Sequence, residues 1–136
     1  LLDQCRTQSL NSYVSFLGYR SDVFKILAAC DAVVQPSVFE GFGLAAVEAM
    51  ACGLPVISTS LPSIAEVVEH EQTGLLVAPG DSAALAWAMA YLMDNPDLAD
   101  QYGQAGKKRA IERFSWNTVI HQYEGLYEGV GQIERG

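Results

Sequence analysis

Two carboxylates bracket a glycine-rich entry into an apolar run in FEGFGLAAVEAMACGLPVI, Phe39 to Ile57: Glu40 and Glu48, with seven residues between them. Taken as a helix, Gly43 to Cys52 puts Leu44, Ala45, Ala51 and Cys52 three or four positions from Glu48, on its own face. Ala46, Val47, Ala49 and Met50 make the opposite face apolar as well. A helix apolar all round is expected to be buried, and a buried carboxylate without a partner costs several kcal/mol. Glu48 must then meet a protein cation, take up a proton, or reach a ligand. No Lys or Arg occurs between Lys25 and Lys107, so we prefer the ligand.

The residues ahead of this helix point the same way. Gly41 and Gly43 flank Phe42 at the expected N-terminus, where free backbone N–H groups attract anions and glycine lets a ligand approach the main chain. The plain reading of Glu40 is a carboxylate that suits the positive end of the helix dipole. The alternative is that it grips hydroxyls of a polar ligand whose phosphates lie on the amides. Glu40 and Glu48 would then contact opposite ends of one elongated ligand. GFGLAA, Gly41 to Ala46, also meets the loose dinucleotide pattern GxGxxG/A. There the first glycine ends a strand and an acid follows the next strand. Here Ser37 to Glu40 intervene and the next strand ends in Ser58-Thr59-Ser60, so a nicotinamide site is the weaker reading.

The elements that must position these groups alternate along the chain. Leu1 to Leu10 has helical spacing, and Asn11-Ser12 breaks it. Tyr13 to Gly18 is rich in aromatic and β-branched residues and predicts a strand. Ser21 or Asp22 caps a short helix through Ala29, and Asp31 to Ser37 predicts the next strand, stopped near Pro36. After the helix with Glu48 come a strand at Pro55 to Thr59, a short helix at Ser63 to Glu69 carrying Glu66, and a strand within Thr73 to Asp81. Asp81 or Ser82 caps an Ala-rich helix to about Met93. Asn95-Pro96 starts another to Phe114 with weak points at Gly103 and Gly106, and Ser115 caps the last. This alternation predicts an α/β fold: a Rossmann-like, doubly wound parallel sheet with helices on both faces and a helical C-terminal end.

The totals set limits. The 136 residues are 50% hydrophobic, enough for one domain with a core. The net charge of -8 argues against nucleic acid or an anionic membrane as the main partner. KKRAIER, Lys107 to Arg113, reads as a solvated helix face. Cys5, Cys30 and Cys52 show no CxxC spacing and read as small buried hydrophobes suited to a reducing compartment. His70 and His121 stand alone, which gives no metal cluster. No apolar run reaches the ~18 residues of a membrane span. The chain begins without Met, so we expect a longer parent.

PSVFEGFGLAAVEAMACGLPVI, Pro36 to Ile57, resembles the signature of the retaining group-one glycosyltransferases of the GT-B architecture, whose hallmark is E-x7-E. VSFLG at Val14, DAVVQPS at Asp31, EVV at Glu66, TGLLVAPGD at Thr73 and FSW at Phe114 fit as well, so the resemblance spans the chain. It implies a single partial domain over residues 1–136, the donor-binding C-terminal portion of such an enzyme, with the acceptor held by a missing N-terminal domain. Carried over, Glu48 binds the ribose hydroxyls, and Glu40 lies in the catalytic centre beside the donor sugar. The amides of Gly41, Phe42, Gly43 and Leu44 meet the sugar and diphosphate, and the loop at Tyr19 and Arg20 borders the base. The resemblance implies transfer from a nucleotide-diphospho-sugar with retention, no cofactor and no obligatory metal. It implies a cytoplasmic enzyme, in some parents at the membrane surface.

Two departures shape the expectation. The family's domain begins with two further strands and an Arg and a Lys that clamp the diphosphate, and none of these stands here. We therefore expect the chain alone to be inactive, with open strand edges that invite self-association. Pro62-Ser63-Ile64-Ala65 stands where the family carries glycines ahead of Glu66. The alternatives to a transferase are a non-catalytic nucleotide-sugar binding or interaction module and a sugar-nucleotide epimerase of the same layout.

Overall fold

A computed structural model describes residues 1–133, with side chains through Tyr127. Its strands are β1 (Val33–Gln35), β2 (Val56–Thr59) and β3 (Gly74–Val77). Its helices are α1 (Leu2–Thr7), α2 (Val23–Leu27), α3 (Leu44–Ala51), α4 (Pro62–Val67), α5 (Ser82–Asp94), α6 (Pro96–Phe114) and α7 (Trp116–Ile133). The strands form one parallel sheet in the order β1-β2-β3, with Val34 opposite Ile57 and Ile57 opposite Leu75.

Successive side chains of a strand face opposite ways, and this alternation divides the core. Val56 joins Ala46, Ala49, Met50, Ile64, Val67 and Ala110, from α3, α4 and α6, on one face. Ile57 joins Leu75, Ala88, Leu92 and Tyr102, from α5 and α6, on the other. Burial inside the second cluster raises the Tyr102 hydroxyl above its ordinary pKa, with the charges of Glu71 and Tyr91 adding to it. Helices therefore cover both faces, as the alternating sequence predicts. Asp81 caps α5 by accepting from the Ala84 amide at 2.8 Å, and Ser115 caps α7 by accepting from the Thr118 amide.

Several expectations give way. Tyr13 to Gly18 is not a strand. Its main chain pairs with no strand among the described residues, and a strand exists only where a second strand takes up its N–H and C=O groups. Gly103 and Gly106 do not weaken α6, which runs unbroken, because both are buried at close approaches. A Cβ at Gly103 would collide with the carbonyl oxygen of Gly53, and one at Gly106 would press on Met50.

KKRAIER is not wholly a solvated face. Arg109 donates to the carbonyls of Glu66 and Val67 at 2.8 Å each and pairs with Glu69. It thereby satisfies the free C-terminal carbonyls of α4 from α6. Of the cysteines, Cys5 is buried, Cys52 is half-buried, and Cys30 is exposed because it lies past the short α2. No described helix is long and apolar enough to cross a membrane.

Candidate functional site

The chemistry concentrates where β1 and β2 end and α3 and α4 begin. Three hydroxyls pin the chain that carries Glu40. Ser58 Oγ on β2 donates to the Gln35 carbonyl at 2.8 Å, and Thr59 Oγ1 donates to the Ser37 carbonyl at 2.5 Å. Ser63 Oγ, at the start of α4, donates to the carbonyl of Glu40 itself at 2.7 Å. Residues 36–40 lead from strand toward helix without regular structure, and these bonds replace the missing ladder.

The Glu40 side chain is half-buried. Its Oε2 accepts from Gln35 Nε2 at 2.6 Å and, more distantly, from Ser37 Oγ at 3.5 Å. Its Oε1 has no protein partner among the described residues. Glu40, Val38, Phe39, Leu61, Pro62 and Ser63 line an open hollow of about 260 Å³. A larger hollow of about 330 Å³ runs along α6 by Lys107 and Ile111, but one helix surface forms it and none of the site residues reach it.

Gly43 caps α3 in the left-handed region, with φ 89°, and a side chain there would come 2.6 Å from Ile64 Cδ1. This close approach ties the start of α3 to α4. Without a side-chain cap, the N–H groups of Gly41, Phe42, Gly43 and Leu44 have no acceptor among the described residues. Unpaired N–H groups at a helix N-terminus attract anions, and here they lie beside the carboxylate. Phe42 is steadied edge-on against Phe114, at 5.8 Å between ring centres.

Glu48 differs from expectation. α3 buries only Ala46, Ala49 and Met50, while Leu44, Ala45 and Ala51 are exposed and Glu48 is half-buried on that open side. The apolar sequence over-predicts burial, because the layers of α4, α6 and the sheet cover only one side of the helix. The Glu48 carboxylate takes no hydrogen bond or ion pair from the described residues, and its half-exposed position leaves it open to solvent or a ligand.

The structure therefore gathers Glu40, Gly41, Phe42, Gly43 and Leu44 at one end of α3, with Glu48 one turn further along the same helix. It does not join Tyr19 or Arg20 to them through any described hydrogen bond. Tyr19 is 97% exposed, and Arg20 donates to Asp22 from Nε and Nη2 at 2.8 and 2.7 Å. That pairing holds the Asp22 carboxyl below its ordinary pKa and raises the Arg20 guanidinium. Sequence reasoning missed Gln35, Ser58, Thr59 and Ser63. The signal was present as hydroxyl residues at the end of β2 and the start of α4, but their main-chain targets lie more than twenty positions away.

These layers define an α/β domain of the GT-B type. The chain belongs to the glycosyl transferases group 1 family, whose model matches residues 1–109. It is 34% identical over 137 residues to glycogen synthase of Mycobacterium tuberculosis (strain CDC 1551 / Oshkosh), covering 99% of this chain and 33% of that protein. Among solved structures it superposes on sucrose-phosphate synthase from Thermosynechococcus elongatus with a TM-score of 0.89 and 34% identity, covering 97% of this chain and 34% of that one. It superposes likewise on Alr3699/HepE from Anabaena in complex with UDP-glucose, with a TM-score of 0.88 and 32% identity, over 94% and 35%. The chain thus spans about a third of the length of the relatives it matches.

Proposed function

We propose that residues 1–136 are a single partial domain, the donor-binding C-terminal portion of a retaining glycosyltransferase. The parent enzyme transfers a sugar from a nucleotide-diphospho-sugar to an acceptor held by an N-terminal domain. The observation that carries this reading is the pinned Glu40 carboxylate, with one oxygen tied and one free, beside the open amides of Gly41 to Leu44. A helix N-terminus accepts a diphosphate, and a fixed carboxylate accepts hydroxyl donors. Family membership and a similar chain solved with UDP-glucose support the same assignment.

Glu40 is the group we assign beside the donor sugar. Glu48, unpartnered on the open side of α3, takes the ribose hydroxyls, and Tyr19 and Arg20 border the base. Departure of the nucleoside diphosphate develops negative charge that the α3 amides stabilise, while the acceptor attacks from the same face. The diphosphate meets no described Arg or Lys at this helix, which is why we expect no transfer by the chain alone. Free Cys5, Cys30 and Cys52 suit a cytoplasmic, reducing setting.

Ligand-observed NMR of this chain with UDP, GDP, ADP and NAD tests the reading. Binding of one nucleoside diphosphate, lost in Glu48→Ala, is the expected result. Binding of NAD alone, or of none of the four, overturns it for this chain.

A further inference from the structure

Among the described residues, the amide of Gln35 carries the one buried side-chain polar atom without a hydrogen-bond partner. Its Nε2 donates to Glu40 Oε2 at 2.6 Å, while its Oε1 is buried with no described partner. An unsatisfied buried carbonyl is costly, and rotating the amide would satisfy it no better. Rotation would set two acceptor oxygens, Gln35 Oε1 and Glu40 Oε2, against each other at that short distance. The amide is thus held in its unfavourable orientation by the carboxylate it serves.

The surroundings hold Gln35 there as well. Gln35 ends β1, and its carbonyl is taken by the fully buried Ser58. Its side chain therefore starts from a fixed main chain, as does that of Glu40, whose carbonyl Ser63 holds. Both side-chain donors to the Glu40 carboxylate among the described residues, Gln35 and the more distant Ser37, act on the same oxygen, Oε2. The other oxygen is left without a partner among the described residues, on a residue that lines the open hollow.

We infer that Gln35 is a positioning residue for donor-sugar recognition: it ties one oxygen of Glu40 so that the other is presented, in a fixed direction, to a hydroxyl of the sugar. This rests on the donor-site reading above. It goes further in assigning the discrimination between a nucleotide and its sugar ester to a strand-end amide that itself touches no substrate. A fixed acceptor favours binding because less side-chain freedom is lost when the hydroxyl arrives. The nucleotide half of the ligand lies on the α3 amides and Glu48, so Gln35 has no influence there.

The test is the ratio of affinities of this chain for UDP-glucose and UDP, with GDP-mannose and GDP as the second pair, measured by NMR titration. Gln35→Met keeps the length and loses the donor; we expect the sugar ester to weaken about three- to tenfold, the size of one lost hydrogen bond, with the free nucleotide unchanged. In a Glu40→Gln background the same substitution should have no further effect, which a merely structural role for Gln35 would not produce. If the methionine variant fails to fold, Gln35→Glu keeps the shape and sets a second carboxylate against Glu40, with a larger loss of ratio expected. An unchanged ratio, or an equal loss in the Glu40→Gln background, overturns the positioning role and leaves the donor site standing. No binding of either nucleotide by the unsubstituted chain overturns the donor site, and this inference with it.

Discussion

Two stretches of this chain lack regular structure and differ in how firmly the fold holds them. Residues 36–43 carry no regular structure until α3 begins, yet hydroxyls bonded to the carbonyls of Gln35, Ser37 and Glu40 and a close approach to Ile64 fix the main chain there. Residues 13–19 have the stronger strand composition, yet Tyr13, Val14, Phe16, Leu17 and Tyr19 are all exposed. Their described main-chain bonds are those of Tyr13 and Val14 to the Leu10 carbonyl. The difference teaches that order follows from partners supplied elsewhere in the fold. The pinned stretch lies against β2, α3 and α4, whereas the other has no adjacent strand.

The comparison breaks most severely through the scaffold behind the pinned stretch. Gly103→Ala should cost about 3 kcal/mol in urea unfolding, because the new Cβ strikes the main chain of Gly53 and the modest gain in helix propensity does not offset the clash. A loss below about 1 kcal/mol would contradict the close packing of α6 on the turn after α3. Next in size is Arg109→Ala, expected to remove about 2–3 kcal/mol by the same measurement, since two carbonyls of α4 and the Glu69 carboxylate lose their donor together.

Ser63→Ala sharpens the contrast at the site itself. It frees the Glu40 carbonyl and should cost about 1 kcal/mol, while weakening UDP-glucose more than UDP in NMR titration. Equal weakening of both ligands would show that pinning the Glu40 main chain does not act on the sugar. The smallest effect is expected in the other stretch. Tyr13→Ser, at a residue 85% exposed, should change stability by less than about 0.5 kcal/mol. In hydrogen exchange, the amides of Ser15 to Leu17 should exchange far faster than those of Val56 to Thr59 in the central strand. Comparable protection in both would mean that residues 13–19 find a pairing partner in solution, such as the free edge of β1.

Much of the site was legible because its parts are local. The spacing of Glu40 and Glu48, the two glycines between them and the start of an apolar helix are read within one short segment. Each has a local physical meaning: an open N-terminus, a left-handed cap, a carboxylate at each end. The caps of α5 and α7 were legible for the same reason, since Asp81 and Ser115 reach amides three residues on. What failed depends on distant neighbours. Arg109 looked like one more charge in KKRAIER until α6 was set beside α4, and Gly103 looked like a flaw until it met Gly53.

The sequence by itself determined the order of strands and helices from α2 onward, the two-faced sheet and the position of both carboxylates along the chain, because periodicity and capping act within a few residues. Only the tertiary structure decided which strand-like stretch became a strand, which side of α3 stayed open, and which oxygen of Glu40 was tied. Those outcomes depend on groups brought together from positions more than twenty residues apart, such as Ser58 with Gln35 and Arg109 with Val67. Pairing and burial are properties of two surfaces, and a chain read one segment at a time displays only one of them.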